Sequence, residues 1–126
     1  MAKSYKDLVV WQRAIQMTLA IYKLSVAFAK HEIYGLTSQM RRAAVSIASN
    51  IAEGSVRGTR KDFRQFVTIA RGSNCELQTQ LSLARTLEFG NASSIADAEA
   101  LTNDVGQMLA GLSKYLALPR TAVSSK

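Results

Sequence analysis

A zinc site needs about four suitable ligands, and this chain offers one histidine and one cysteine, His31 and Cys75, far apart in sequence. His31 stands beside Lys30 and Glu32 at a helix end and reads as a surface residue. Cys75, mid-helix between Asn74 and Glu76, reads as a small core residue rather than a nucleophile. Glu53 can pair with Arg57 one turn on. Glu76 and Glu88 lack a second carboxylate at a spacing useful for acid–base work. No G-x-G-x-x-G or Walker loop is present, and the glycines at Gly54 and Gly58 are not followed by the Lys-Ser/Thr of a phosphate cradle. The sequence therefore predicts no catalytic residue, no metal, no cofactor and no enzyme.

Basic residues dominate the charged set instead. Lys and Arg number 16 against 9 acids, a net charge of +7 in 126 residues, a balance compatible with a polyanion partner. The single Cys excludes an intrachain disulfide and points to a reducing, cytoplasmic setting. The longest apolar runs near the start, such as Leu8 to Trp11, are four residues long, far below the ~20 that span a bilayer. Lys3 and Lys6 resemble a basic leader, but Asp7, Gln12, Arg13 and Gln16 interrupt what would have to be an apolar stretch.

Four helical segments position these residues. The first runs from Leu8 to Ala29 with Asp7 as N-cap. The second runs from Leu36 to Ala52, with Leu36, Met40, Ala44, Ile47 and Ile51 on one face. The third follows a Thr59–Asp62 capping box, carries Phe63, Phe66, Val67, Ala70, Leu77, Leu81, Ala84 and Leu87, and ends at Gly90-Asn91. The fourth follows a second box at Ser94–Asp97, carries Leu101, Val105, Met108, Leu109, Leu112 and Leu116, and is stopped by Pro119. Short connections between four helices favour antiparallel neighbours. The expected fold is all-α, an up-down-up-down four-helix bundle over residues 1–118 with a flexible tail over 119–126. A three-helix arrangement with one helix exchanged between protomers is the runner-up.

The first helix is apolar on two sides. Of the 22 residues from Leu8 to Ala29, 16 are apolar, and they form two stripes at ~100° per residue. Trp11, Ile15, Leu19, Tyr22 and Val26 share one side. Val10, Met17, Ile21, Leu24 and Phe28 share the other. One stripe fills the bundle, and leaving four large side chains of the second wet would forfeit roughly 6–12 kcal/mol. That approaches the ~5–15 kcal/mol that holds a small domain together. A homo-oligomer is expected, with Val10, Met17, Ile21, Leu24 and Phe28 at the interface and Arg41 and Arg42 bridging subunits. The alternative is a first helix covered on both sides by its own chain.

Up-down topology gathers the start of helix 1, the turn between helices 2 and 3, the end of helix 4 and the tail at one end. There Lys3, Lys6, Arg13, Arg57, Arg60, Lys61, Arg64, Lys114, Arg120 and Lys126 face three acids, Asp7, Glu53 and Asp62. Arg60, Arg64 and Arg71 share one face of helix 3, and guanidinium forks suit phosphate. Lys3, Lys6, Arg13, Arg57, Arg60, Lys61, Arg64 and Arg71 are thus the candidate nucleic-acid-binding residues. With no zinc-finger spacing, RNP aromatics or helix-turn-helix pattern, they would contact RNA or DNA through phosphate and shape rather than base readout. The competing reading is a protein–protein scaffold or accessory protein whose charge only keeps it soluble.

The stretch LTSQMRRAAVSIASNIAEG from Leu36 to Gly54 resembles the signature of bacterial four-helix-bundle proteins encoded in intervening sequences of large-subunit ribosomal RNA genes. Asp7 to Ala14 is similar to that family's opening, and Gly106 to Leu112 to its fourth helix. Ala48 stands where the family often carries Pro, which implies a less kinked second helix. The resemblance implies a ring-shaped homopentamer and carries over Gln39, Arg41, Arg42, Asn50 and Glu53 as motif positions. The chain is also similar to accessory proteins of diversity-generating retroelements, basic barrels that associate with nucleic acid and a reverse transcriptase.

Overall fold

The computed structural model describes residues 4–32 and 34–119. Among these lie four helices and no strand: α1 Val9–Ser25, α2 Leu36–Ser55, α3 Arg60–Thr86 and α4 Ala92–Ala117. The expectations placed on Lys3, on the side chain of His31 and on tail residues 120–126 fall outside the described residues.

The helix ends follow local chemistry, not always at the expected residue. Asp7 does not cap α1; it closes a 3-10 turn over Tyr5–Asp7, accepting from the Ser4 N–H at 3.2 Å while Ser4 Oγ accepts from Lys6 N–H at 3.0 Å. α1 stops at Ser25, short of Ala29. The Ser25 hydroxyl donates back to the Ile21 carbonyl at 2.7 Å, a local bond that competes with helix propagation. Thr59 caps α3 as expected, its Oγ1 accepting from Asp62 N–H at 3.1 Å. α3 terminates in a Schellman turn: Phe89 N–H donates to Ala84 O and Glu88 N–H to Arg85 O. The left-handed residue of that turn is Glu88, φ 58°, a position glycine would occupy with less strain. α4 starts earlier than the Ser94–Asp97 box. Asn91 is the cap, its Oδ1 accepting from Ser93 and Ser94 N–H at 2.8 and 3.1 Å, as befits a favoured N-cap residue.

Each helix packs against two others, α4 closes onto α1, and the diagonals do not approach within 8 Å between Cα atoms. The contacts run in opposite directions along each adjacent pair. Arg64 reaches Ser113 and Asn74 reaches Thr102 across α3 and α4. Ser46 meets Ser73, and Gly54 meets Phe66, across α2 and α3. Neighbours are therefore antiparallel, the expected bundle. Met17, Ile21, Met40, Ile47, Ile51, Leu77, Leu81, Val105 and Leu109 fill its centre. Each such burial stabilises by about 1.5–3 kcal/mol, which the costly nucleation of isolated helices requires.

The stripe expected to face a partner is the one inside. Val10, Met17, Ile21, Leu24 and Phe28 are buried in the chain's own core, so they are not an oligomer interface. Two stripes of similar hydropathy cannot be told apart by hydropathy. The small residues Ala14 and Ser25 are buried along with the inward stripe. The outward stripe keeps Leu19 65% and Val26 76% exposed, while Trp11 and Ile15 pack against the core's edge. Cys75 is also corrected. It is exposed, because the polar Asn74 takes the inward position in α3 at 3% exposure.

Gly54 sets the spacing of α2 and α3. A Cβ there would lie 2.6 Å from Phe66 Cβ and 2.9 Å from Phe63 Cδ1, whereas at Gly72 it would meet nothing within 4 Å. Helix propensity alone favours Ala over Gly by up to ~1 kcal/mol, but overpacking costs about 1–3 kcal/mol. Thermal melts should therefore show Gly54→Ala lowering Tm and Gly72→Ala raising it.

Candidate nucleic-acid interface

The α2–α3 turn reverses the chain at Val56–Thr59, with Gly58 at φ 92°. This sets the first turns of α3 beside the last turns of α4. Arg60 Nη2 donates to the Tyr115 carbonyl, and its guanidinium lies 4.5 Å from the centroid of the Tyr115 ring. Arg64 Nε donates to the Ser113 carbonyl at 3.1 Å. Both arginines thus place positive charge at the carbonyl end of α4, where the helix dipole favours it. Arg57 pairs with Glu53 at 2.6 Å, as expected, and lies 4.8 Å from the Phe66 ring centroid.

The other candidates divide. Arg13 is bonded to Asp104 at 2.8 Å, about 20 Å along α4 from that helix's end at 1.5 Å per residue. It belongs to the α1–α4 seam and not to the basic end. Lys6, Lys61 and Arg71 are exposed and make no ion pair among the described residues. Lys114, in the last turn of α4, is exposed in the same way. Arg60, Arg64 and Arg71 line the α4 side of α3, stepping along it by about 6 and 10 Å. Arg71 looks onto a cleft with Asn103, Gly106 and Gln107 of α4. Positive charge thus follows the α3–α4 face from Arg60 and Arg64 near the α2–α3 turn to Arg71 at that cleft. Sequence reasoning missed that Arg60 and Arg64 are anchored on Ser113 and Tyr115, since nothing in the spacing of either helix shows which carbonyls will face it. The far part of the same helix pair is neutralised: Arg85 is bonded to Glu99, whose hydrogen bond and then charge raise the guanidinium pKa above its ordinary value.

The two arginines assigned to subunit bridging have different surroundings. Arg41 is bound within the chain, donating to Ser25 Oγ at 2.9 Å and to the Tyr22 carbonyl at 3.3 Å, with its guanidinium 4.6 Å from the Tyr22 ring centroid. Arg42 is exposed. Both line a groove of about 710 Å³ between α1 and α2, with Tyr22, Thr37, Ser38, Val45 and Ser46. α2 runs unbroken through Ala48. Asn50 Nδ2 donates within α2 to the Ser46 carbonyl at 2.8 Å and to Ser46 Oγ at 3.1 Å, and that hydroxyl meets Ser73 Oγ of α3 at 3.0 Å.

The family model of 23S rRNA-intervening sequence proteins matches residues 6–111. The chain belongs to that family. The motif stretches from Asp7 and from Leu36 lie inside the match. A solved structure similar to this intervening-sequence protein is a protein of unknown function from the S23 ribosomal protein family of Bacteroides thetaiotaomicron. It is 22% identical over 84% of this chain and 99% of that one, with a TM-score of 0.75, and it supports the bundle fold alone. A comparison with curated proteins gives no match. Among the described residues no three of His, Cys, Asp and Glu are grouped to hold a metal, and no helix is long and apolar enough to cross a membrane.

Proposed function

We propose that this intervening-sequence protein is a non-enzymatic, homo-oligomeric bundle of the cytoplasm that binds RNA or DNA without sequence preference in the phosphate contacts. The carrying observation is the α3–α4 face, where Arg60 and Arg64 lie against α4, Arg71 borders a cleft further along, and Lys61 and Lys114 are exposed and make no ion pair among the described residues. The family's name speaks of 23S rRNA, which agrees with a nucleic-acid setting. Six phosphate contacts would weaken binding by ~10³ between 50 and 200 mM salt. Anisotropy of a labelled oligonucleotide at the two salt concentrations tests this. Salt-independent binding, or none at the lower salt, contradicts it.

The oligomer reading is carried by a separate observation. Leu19, Tyr22, Val26 and Val45 are exposed on the α1–α2 side, while Ile69, Leu83 and Leu87 are half-exposed along one stripe of α3, spaced by 14 and 4 residues. Glu76 interrupts the α3 stripe and shares a cleft between α2 and α3 with Arg42, which also borders the α1–α2 side. Two different apolar patches on one chain suit a head-to-tail contact, which closes into a ring when the rotation allows. Five copies, and a reverse transcriptase as protein partner, are what the family resemblance adds. This arrangement leaves the α3–α4 face open in every copy, so phosphate contacts multiply through avidity.

A further inference from the structure

We infer that the exposed ring of Tyr115, with Arg60 across it, is a stacking platform for one unpaired base of a single-stranded nucleic acid. This rests on the nucleic-acid reading above and names the part of the strand, beyond its phosphates, that the basic end holds. Tyr115 stands in the last turn of α4, off the inward row of Leu109, Ser113 and Leu116. The Arg60 guanidinium lies 4.5 Å from the ring centroid, and its Nη2 donates to the carbonyl of the same tyrosine. Two contacts to one residue hold the guanidinium against the ring, whose negative face attracts it. With that cover in place Tyr115 is still 47% exposed. A ring already held in place loses little further freedom when a base stacks on it.

Cations for the flanking phosphates are close by in the chain. Lys114 precedes Tyr115 and Lys61 follows Arg60; both are exposed and make no ion pair among the described residues. Arg64 bonds the Ser113 carbonyl, two residues before Tyr115, through Nε alone. An open aromatic ring set among cations is the combination that holds a single strand, since the cations track the backbone and the ring takes a base. Every base has a π-face, so stacking adds affinity without sequence preference. Bases inside a duplex are stacked on one another and have no face to give. The other strongly exposed tyrosine, Tyr34 at 94%, precedes α2 at the opposite end of the bundle, and no guanidinium lies over its ring among the described residues. A lipid surface fits less well. Interfacial anchoring needs a broad apolar face, whereas the end of α4 exposes only Tyr115 and Leu118 among its large apolar side chains.

The test is anisotropy of the full chain at low salt with three labelled probes. They are a short mixed-sequence single strand, the same strand with every base removed, and a duplex closed at both ends by base-free linkers. Wild-type protein should bind the base-bearing strand roughly ten-fold tighter than the abasic one. Tyr115→Leu should abolish that ratio and leave duplex affinity unchanged, whereas Tyr115→Phe, which keeps the ring, should retain it. The two strands carry equal charge, so any movement of Arg60 in the leucine variant cancels in the ratio. Equal binding of both strands by the wild type overturns the platform while leaving the phosphate contacts intact. So does a ratio that survives Tyr115→Leu or is lost in Tyr115→Phe, and so does an equal loss of duplex binding in the leucine variant. Capture by phosphatidylserine vesicles with no affinity for any strand assigns the basic end to lipid. That result removes the nucleic-acid reading, and the platform with it.

Discussion

Replacing Lys61, Arg71 and Lys114 with glutamate should weaken oligonucleotide binding by about 10²–10³-fold at low salt and reduce the salt slope by about 2–3. These three are the informative positions because they are exposed and unpaired among the described residues. Arg60 and Arg64 carry as much charge, but they also hold the last carbonyls of α4. Their loss would mix binding with stability. The triple variant should therefore melt near the wild-type temperature while losing affinity. Arg13→Glu supplies the contrast: it places an acid against Asp104, so it should loosen the α1–α4 seam and lower Tm with little effect on binding. A protein that acts only as a scaffold would show no affinity change in either variant.

Placing lysine at Leu19 and Val26 should turn the assembly into 13.7 kDa monomers that remain folded. Both side chains are largely exposed in the single chain, so nothing in its core is lost. Burial of two such residues against another copy is worth about 3–6 kcal/mol, which corresponds to ~10²–10⁴-fold weaker association at 1.4 kcal/mol per decade. The inward stripe should respond in the opposite way. Ile21→Ala empties a fully buried position and should cost about 2–5 kcal/mol of stability. It should lower Tm before it changes the mass. Sedimentation velocity paired with circular dichroism melts separates the two responses.

The contrast between these stripes shows what was legible in the sequence. Helix number, order and antiparallel packing followed from periodicity and from loops too short for anything else. The existence of two apolar faces on α1 was legible as well. Which face turns inward was not, because hydropathy is nearly symmetrical between them, and only the structure shows the small residues Ala14 and Ser25 buried with the inward stripe. The same limit explains Cys75. A thiol is a more usual core group than a carboxamide, but Asn74 can be buried because the Thr102 carbonyl on another helix accepts its N–H. Cap positions erred by a few residues where two good capping residues competed, as Asn91 did with Ser94.

The basic end was readable as a count of charges but not as a surface. Topology brought the α2–α3 turn to the end of α4, as expected, and the structure then sorted the arginines. Arg13 went to Asp104, Arg57 to Glu53, and Arg60 and Arg64 to α4 carbonyls. Those assignments depend on contacts 49 to 91 residues apart for three of the four, beyond the reach of spacing arguments.

Sedimentation equilibrium of the wild-type protein at micromolar concentration tests most directly whether a second copy covers the outward face of α1. A mass that is a whole multiple of 13.7 kDa, five-fold if the family resemblance holds in full, is the expected result. A single species of 13.7 kDa across the concentration range would mean that Leu19, Tyr22, Val26 and Val45 stay in water, and the assembled protein described here would not exist.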